Sequence, residues 1–269
     1  MNILFCGDKN IEDGLFLSAV SLSKNSACEL TINILTAGTE YNGKEYSPIS
    51  RSFAEKLQNR IRKENEKNSV ELFDVTDEFH KYLPYANMDT RFTPLCMLRL
   101  FADGVSQISG RVLYLDADVL CRDDFSALEK TDIGDAEIAG VPDRYGKWFF
   151  GNILRQDYLN SGVLLMDMDS IRKSGLFERC RSLCRKKKML MPDQTALNKL
   201  ARKKKLPRKY NEQSNIRADT IFKHFTTYFR ILPYFRPITV KPWEKEKMHD
   251  KLKIYEFDDI IGELKKENI

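Results

Sequence analysis

The stretch Arg111-Val-Leu-Tyr-Leu-Asp-Ala-Asp-Val-Leu-Cys-Arg122 decides how the chain is read. Val112 to Leu115 form a short apolar run of the kind that a strand buried on both faces presents. The run ends in two carboxylates, Asp116 and Asp118, separated only by Ala117. Side chains alternate faces along an extended segment, so residues two apart point the same way and both carboxylates address one volume. The ends of strands in open parallel sheets are also where ligands bind. Two hard oxygen ligands with a small residue between them suit Mn²⁺ or Mg²⁺, either of which leaves positions open for phosphate oxygens.

Three readings of the acidic pair stay open at this point. It can stop a strand at the water surface, it can hold a metal for a nucleotide diphosphate, or it can supply the nucleophile and acid/base of a phosphatase of the haloacid dehalogenase kind. The last needs its motif on the first strand of its core, whereas here a complete strand and helix region precedes Asp116.

With 269 residues, 42% hydrophobic and 31% charged, the chain has the composition of an ordinary globular α/β protein. No basic leader and no long apolar segment appear, so the expected compartment is the cytoplasm. The six cysteines make no zinc pattern; Cys180 and Cys184 lie one helical turn apart but lack a second ligand pair. A net charge of +5 is modest. Basic residues nevertheless bunch in Arg185 to Lys188 and Arg202 to Lys205, runs that suit solvated helix ends or an anionic membrane face or acceptor. No nucleic-acid recognition motif accompanies them, so nucleic acid is not an expected partner.

Strands are predicted at Asn2 to Cys6, Leu30 to Leu35, Val70 to Val75, Val112 to Leu115, Ile138 to Val141 and Val163 to Met166. Helices are predicted after Asn10, over Ser47 to Asn65, Pro94 to Val105 and Phe177 to Lys188, and from Pro192 to about Ala201, where Asp193 reads as an N-cap. This alternation predicts a mostly parallel sheet with helices on its faces. Arg99 stands among apolar helix neighbours, where an arginine either reaches an anion or snorkels to the surface. His224 to Trp243 is aromatic and basic, and Asp250 to Ile269 reads as a closing strand and a charged helix. One domain over 1–245, with 246–269 completing it, accounts for the whole.

In order along the chain come Phe5-Cys6-Gly7-Asp8-Lys9-Asn10, the Arg99-Leu100 helix, the acidic pair, Asn160-Ser161-Gly162-Val163-Leu164-Leu165, Pro192-Asp193-Gln194 with Asn198, and Lys241-Pro242-Trp243. Taken together these segments resemble glycosyltransferase family 8, which includes bacterial lipopolysaccharide glucosyl- and galactosyltransferases and the glycogenins. The resemblance implies a GT-A fold, that is a Rossmann-like, mostly parallel α/β sheet flanked by helices, with a UDP-sugar donor, Mn²⁺ (or Mg²⁺) and retention of anomeric configuration. It further implies that Asp116 and Asp118 hold the metal with a histidine, for which His224 is the candidate, with Ala117 between them at the donor. Cys6, Asp8 and Asn10 would line the uridine pocket. Arg99, Asp143, Asn160, Asp193 and Gln194 would surround the donor sugar, Asp193 and Gln194 in the catalytic positions, and Lys241 would meet the diphosphate.

Three departures from the family pattern stand out. Ile11 occupies a place where members often stack an aromatic ring on uracil. The link from His224 to Lys241 is long, aromatic and without glycine. The C-terminal extension that attaches several lipopolysaccharide enzymes to membranes is short, and the segment from Thr226 to Val240 is a candidate substitute for it. The expected activity is therefore metal-dependent, retaining transfer of a hexose from a UDP-sugar to a glycan or lipid-linked saccharide of a surface polysaccharide, with a peripheral anionic membrane contact. A sugar-nucleotide-binding or scaffold protein of the same fold, without turnover, is the alternative.

Overall fold

The computed structural model describes residues 1–89, 93–146, 157–230 and 236–266. Its scaffold is built from β1 (Asn2–Gly7), α1 (Glu12–Asn25), β2 (Thr31–Thr36), α2 (Arg51–Ile61), β3 (Ser69–Asp74), a helix over Pro94–Gly104, β4 (Arg111–Leu115), β5 (Val119–Cys121), β6 (Ile138–Pro142), β7 (Leu159–Asp167), α3 (Leu176–Lys186), α4 (Pro192–Leu200), β8 (Lys203–Lys205), β9 (Phe222–His224), α5 (Lys245–Leu252) and α6 (Asp258–Lys266). Seven strands form one sheet in the order β8-β6-β7-β4-β1-β2-β3. All neighbours pair in parallel except β7, which runs against both β4 and β6. The mostly parallel sheet expected from the sequence is thus present, with one reversed strand near its middle.

Strand alternation explains the two cores. Ile3 and Phe5 of β1 and Leu113 and Leu115 of β4 face α1, α2, α5 and α6. Leu4, Val112 and Tyr114, one residue out of phase, face the 94–104 helix, α3 and α4. Helices on both faces leave no side of the sheet to water, which is why its strands read as continuous apolar runs.

Boundaries differ from expectation where local chemistry intervenes. α2 begins at Arg51 rather than at Ser47-Pro48, because Ser50 accepts the Phe53 N–H at 3.1 Å and caps it. The 94–104 helix is wound throughout with the tighter three-residue pitch, an unusual length for that form. No strand closes the chain over the described part of 250–269: α5 and α6 fill it, and Ile260, Ile261 and Leu264 complete the core against α1. Arg202 to Lys205 is no helix end, since its last three residues are β8, paired in parallel with β6. Arg185 and Lys186, by contrast, do close α3, where cations favour the negative end of the helix dipole. Cys180 and Cys184 are buried in the core and belong to no metal-binding cluster among the described residues. Of the aromatic, basic stretch, the backbone of Tyr228–Arg230 pairs antiparallel with Arg236–Ile238, while Tyr234 and Phe235 lie outside the described residues.

Candidate functional site

β4 and β1 run side by side in parallel, so the turn after Leu115 and the turn after Gly7 share one edge of the sheet. Because β7 runs the other way, its beginning, Leu159 to Ser161, reaches that same edge. Sequence reasoning expected Asp116 and Asp118 to converge by strand alternation. Instead the strand stops at Leu115 and the chain turns, the Val119 N–H donating to the Asp116 carbonyl at 3.1 Å. The carboxylates still meet, and β9 brings His224 back to them by pairing with β5, His224 opposite Val119.

Asp116, Asp118 and His224 place ligand atoms within 4.8 Å of one another. His224 Nε2 lies 3.3 Å from Asp118 Oδ1 and 3.9 Å from Asp116 Oδ2. Each aspartate commits its other oxygen to the protein. Asp116 Oδ1 accepts from Arg99 at 3.0 Å and from the Tyr114 hydroxyl at 2.6 Å. Asp118 Oδ2 is taken by the Lys241 ammonium. Burial pushes the Asp118 carboxyl up, but Lys241 and His224 outweigh it and hold the group well below the usual carboxylate range. Two carboxylate oxygens and one imidazole nitrogen are thus left facing each other, a donor set that fits a hard or borderline divalent ion.

The tautomer of His224 follows from a chain of hydrogen bonds. Asp143 Oδ2 accepts from Asn160 Nδ2 at 3.0 Å, which turns Asn160 Oδ1 toward the Gly162 N–H (3.0 Å) and Asn211 Nδ2 (2.9 Å). Asn211 therefore presents its oxygen to His224 Nδ1 at 3.1 Å, so Nδ1 carries a proton and Nε2 is the nitrogen turned to the carboxylates, where an ion would displace any proton shared with Asp118. Gly162 makes room for the ring: a Cβ there would stand 2.8 Å from His224 Nδ1 and 2.9 Å from Asp116 Oδ2.

Arg99 is buried and reaches anions rather than water. Besides Asp116 it holds Asp193 at 3.1 Å and the Ser161 carbonyl at 2.5 Å, with its guanidinium 4.0 Å above the Tyr114 ring. Burial raises the Asp193 carboxyl, against the pull of Arg99. Asp193 is not the helix cap that its position suggested, because α4 begins after Met191 without a side-chain cap. Gln194, next to it, accepts the Ser161 N–H at 2.9 Å and donates to Asp143 at 3.2 Å. Lys241 stands at the acidic pair, and two residues further on the Trp243 ring abuts Gly14 of α1, where Ala117 also turns its carbonyl.

The nucleotide-side candidates occupy the turn after β1. Asp8, buried, accepts the Asn10 N–H at 2.8 Å, while Asn10 is exposed, Cys6 is half-buried and Ile11 packs on Gly7. The sheet edge therefore brings Asp116, Asp118, His224, Lys241, Arg99, Asp193, Gln194, Asn160 and Asp143 into one bonded cluster, with Ala117 between the two aspartates. Cys6, Asp8 and Asn10 flank it without a bond to the acidic trio. Sequence reasoning missed Tyr114 and Asn211. Tyr114 was within reach, since it stands two residues before Asp116 on the same strand.

Sheet order, the reversed strand and the acidic turn at the strand ends define a glycosyltransferase of the GT-A fold. The chain belongs to glycosyl transferase family 8, whose family model matches residues 2–247. It is 27% identical over 273 residues to the lipopolysaccharide 1,2-glucosyltransferase of Escherichia coli (strain K12), covering 95% of this chain and 76% of that protein. Among solved structures, an active-site mutant of LgtC superposes with a TM-score of 0.71 at 20% identity, over 99% of this chain and 96% of that one. The galactosyltransferase LgtC in complex with donor and acceptor sugar analogs gives 0.69, also at 20% identity, over 98% and 95%. GlyE of Streptococcus pneumoniae gives 0.63 at 16% identity over 100% of this chain and 64% of that one.

Proposed function

We propose that the protein transfers a hexose from a UDP-sugar to a saccharide acceptor of a surface lipopolysaccharide or related glycan, with retention and with a divalent ion, Mn²⁺ before Mg²⁺, between Asp116, Asp118 and His224. The observation that carries this is the division of carboxylate oxygens: one of each pair is tied to a cation of the protein and the other faces His224 Nε2. A bound ion would supply Lewis-acid stabilisation of the charge that builds on the leaving diphosphate.

The protein's own groups have separable tasks. Arg99 holds Asp116 and Asp193 in fixed relation, which ties the metal side to the sugar side. Lys241 keeps Asp118 ionised and adds positive charge near the departing phosphate. The carboxylates of Asp143 and Asp193 favour positive charge on the sugar electrostatically. Retention requires either a nucleophile on the opposite face or entry of the acceptor on the face the phosphate leaves. The Gln194 amide oxygen is held by the Ser161 N–H and hydroxyl, and Asp193 by Arg99. Neither is free to attack, which supports the same-face route. Cys6, Asp8 and Asn10 are the proposed nucleoside contacts, and the cytoplasmic membrane surface is the proposed place of work, testable by sedimentation with anionic vesicles at low salt.

The test is hydrolysis of UDP-glucose and UDP-galactose with Mn²⁺ and no acceptor. Slow turnover that falls at least 100-fold in Asp118→Asn is expected. Tight, metal-dependent UDP-sugar binding with no turnover on any acceptor would instead assign a binding protein of this fold.

A further inference from the structure

A cavity of about 220 Å³ is lined by Arg144, Lys223 and Lys251 together with Ser214, Phe225 and Thr226. Its walls are the immediate chain neighbours of the site: Arg144 follows Asp143, Phe225 follows His224, and Val240, also in the lining, precedes Lys241. It lies below the roughly 300–1,000 Å³ typical of pockets for drug-sized ligands, a size suited to a single sugar unit. Among the described residues three cations line it and no carboxylate does, although the chain as a whole carries 39 acidic residues against 44 basic ones.

Lys223 is the unusual member. Its side chain is 5% exposed, and Nζ donates to the carbonyls of Ser214 at 2.6 Å and His224 at 3.2 Å. No carboxylate is within ion-pair distance of it among the described residues; Glu212 is taken by Arg208. The three cations share one hollow with no carboxylate among its described lining residues, and an anion placed among them would relieve their mutual repulsion and gain from each. Arg144 is held at the rim from its backbone, whose N–H donates to Gln213 Oε1 at 2.9 Å, so its exposed guanidinium remains available.

We propose that this cavity seats a negatively charged substituent, a phosphate or a carboxylate, on the acceptor saccharide. The charged group sits with Arg144 and Lys251 while the fixed Lys223 ammonium supplies a positive floor, and Ser214 and Thr226 offer hydroxyls to the sugar. The inference rests on the glycosyl-transfer reading above, and it makes the acceptor an anionic saccharide rather than a neutral one.

The full-length protein, saturated with UDP and Mn²⁺, is titrated at low ionic strength with glucose 6-phosphate, glucuronate and glucose. At least one of the two anionic sugars should bind ten times tighter than glucose, and whichever does so names phosphate or carboxylate as the recognised group. The paired substitution Arg144→Ala, Lys251→Ala, both at exposed positions, should weaken that binding at least tenfold, with unchanged thermal melting showing that the fold persists. Glucose binding as well as both anions, an unaffected double variant, or displacement of the anionic sugar by UDP with Mn²⁺ would each overturn the proposal. If UDP with Mn²⁺ fails to bind at all, it is the donor assignment that falls, and binding of glucose 6-phosphate to the free protein then reads the cavity separately.

Discussion

Asn211 has no charge and no reactive atom, yet its side chain decides which nitrogen of His224 faces the acidic pair. Removing such an outer partner of a metal-binding histidine typically costs 10–100-fold in metal affinity. Asn211→Leu is accordingly expected to weaken Mn²⁺ binding by about tenfold or more, read by the loss of free Mn²⁺ signal in electron paramagnetic resonance titration. Asn211→Asp, which keeps an acceptor for Nδ1 but loses the donor to Asn160, should lose less; equal affinity in all three proteins would remove Asn211 from the site. The charged members of this cluster were legible in the sequence because their types announce chemistry and sit in short motifs. Asn211 was not, because it lies 13 residues from His224 and 51 from Asn160, and only the fold closes those distances. It also stands at the end of a basic tract, Pro207 to Tyr210, that draws the eye to charge.

At the level of elements, apolar runs located the six long strands of the sheet, while boundaries and short pieces escaped. β8 is three lysines, which no hydrophobic pattern could mark as a strand; at a sheet edge the same charges discourage pairing with another chain. In the closing segment the expected strand is absent among the described residues, but the expected charged helix is present as α6, which lays Ile260, Ile261 and Leu264 into the core. Its outer side is pinned by Glu263, which accepts from Arg60 and pairs with Lys24 at 2.9 Å. Both bases together hold the Glu263 carboxyl down to about 2, Arg60 foremost. Ile261 is 1% exposed, and Ile261→Ala should cost about 2–5 kcal/mol, the range for emptying a buried isoleucine. Urea unfolding measures it, and a cost under about 1 kcal/mol would mean that α6 is a passive appendage.

For the molecule as a whole, the buried thiols of Cys121, Cys180 and Cys184 set an alkaline limit. Burial raises each well above the ordinary thiol value, so folding keeps them protonated where the unfolded chain releases the proton. Their contribution is complete below about pH 8.5 and declines as pH rises toward the folded values. Lys223, lowered by burial to about 8, acts in the opposite sense between about 8 and 10. Three groups outweigh one, each at up to about 1.4 kcal/mol per pH unit. The urea midpoint under reducing conditions should therefore fall between pH 8 and pH 9.5, and a rise over that interval would contradict the burial of the thiols.

The bonded cluster at the sheet edge contains four carboxylates, Asp116, Asp118, Asp143 and Asp193, against two fixed cations, Arg99 and Lys241. Its sum, with His224 neutral, is two negative charges, and a pyrophosphate approaching it bare is repelled. Arrival of a divalent ion cancels that charge and presents a concentrated positive centre, so that the same ground now attracts what it had rejected. The consequence is kinetic precedence: cation first, nucleotide second. Calorimetry with UDP in chelator should give no heat, and the association rate should climb with Mn²⁺ until the trio is saturated, whereas tight UDP binding in chelator would break the sequence.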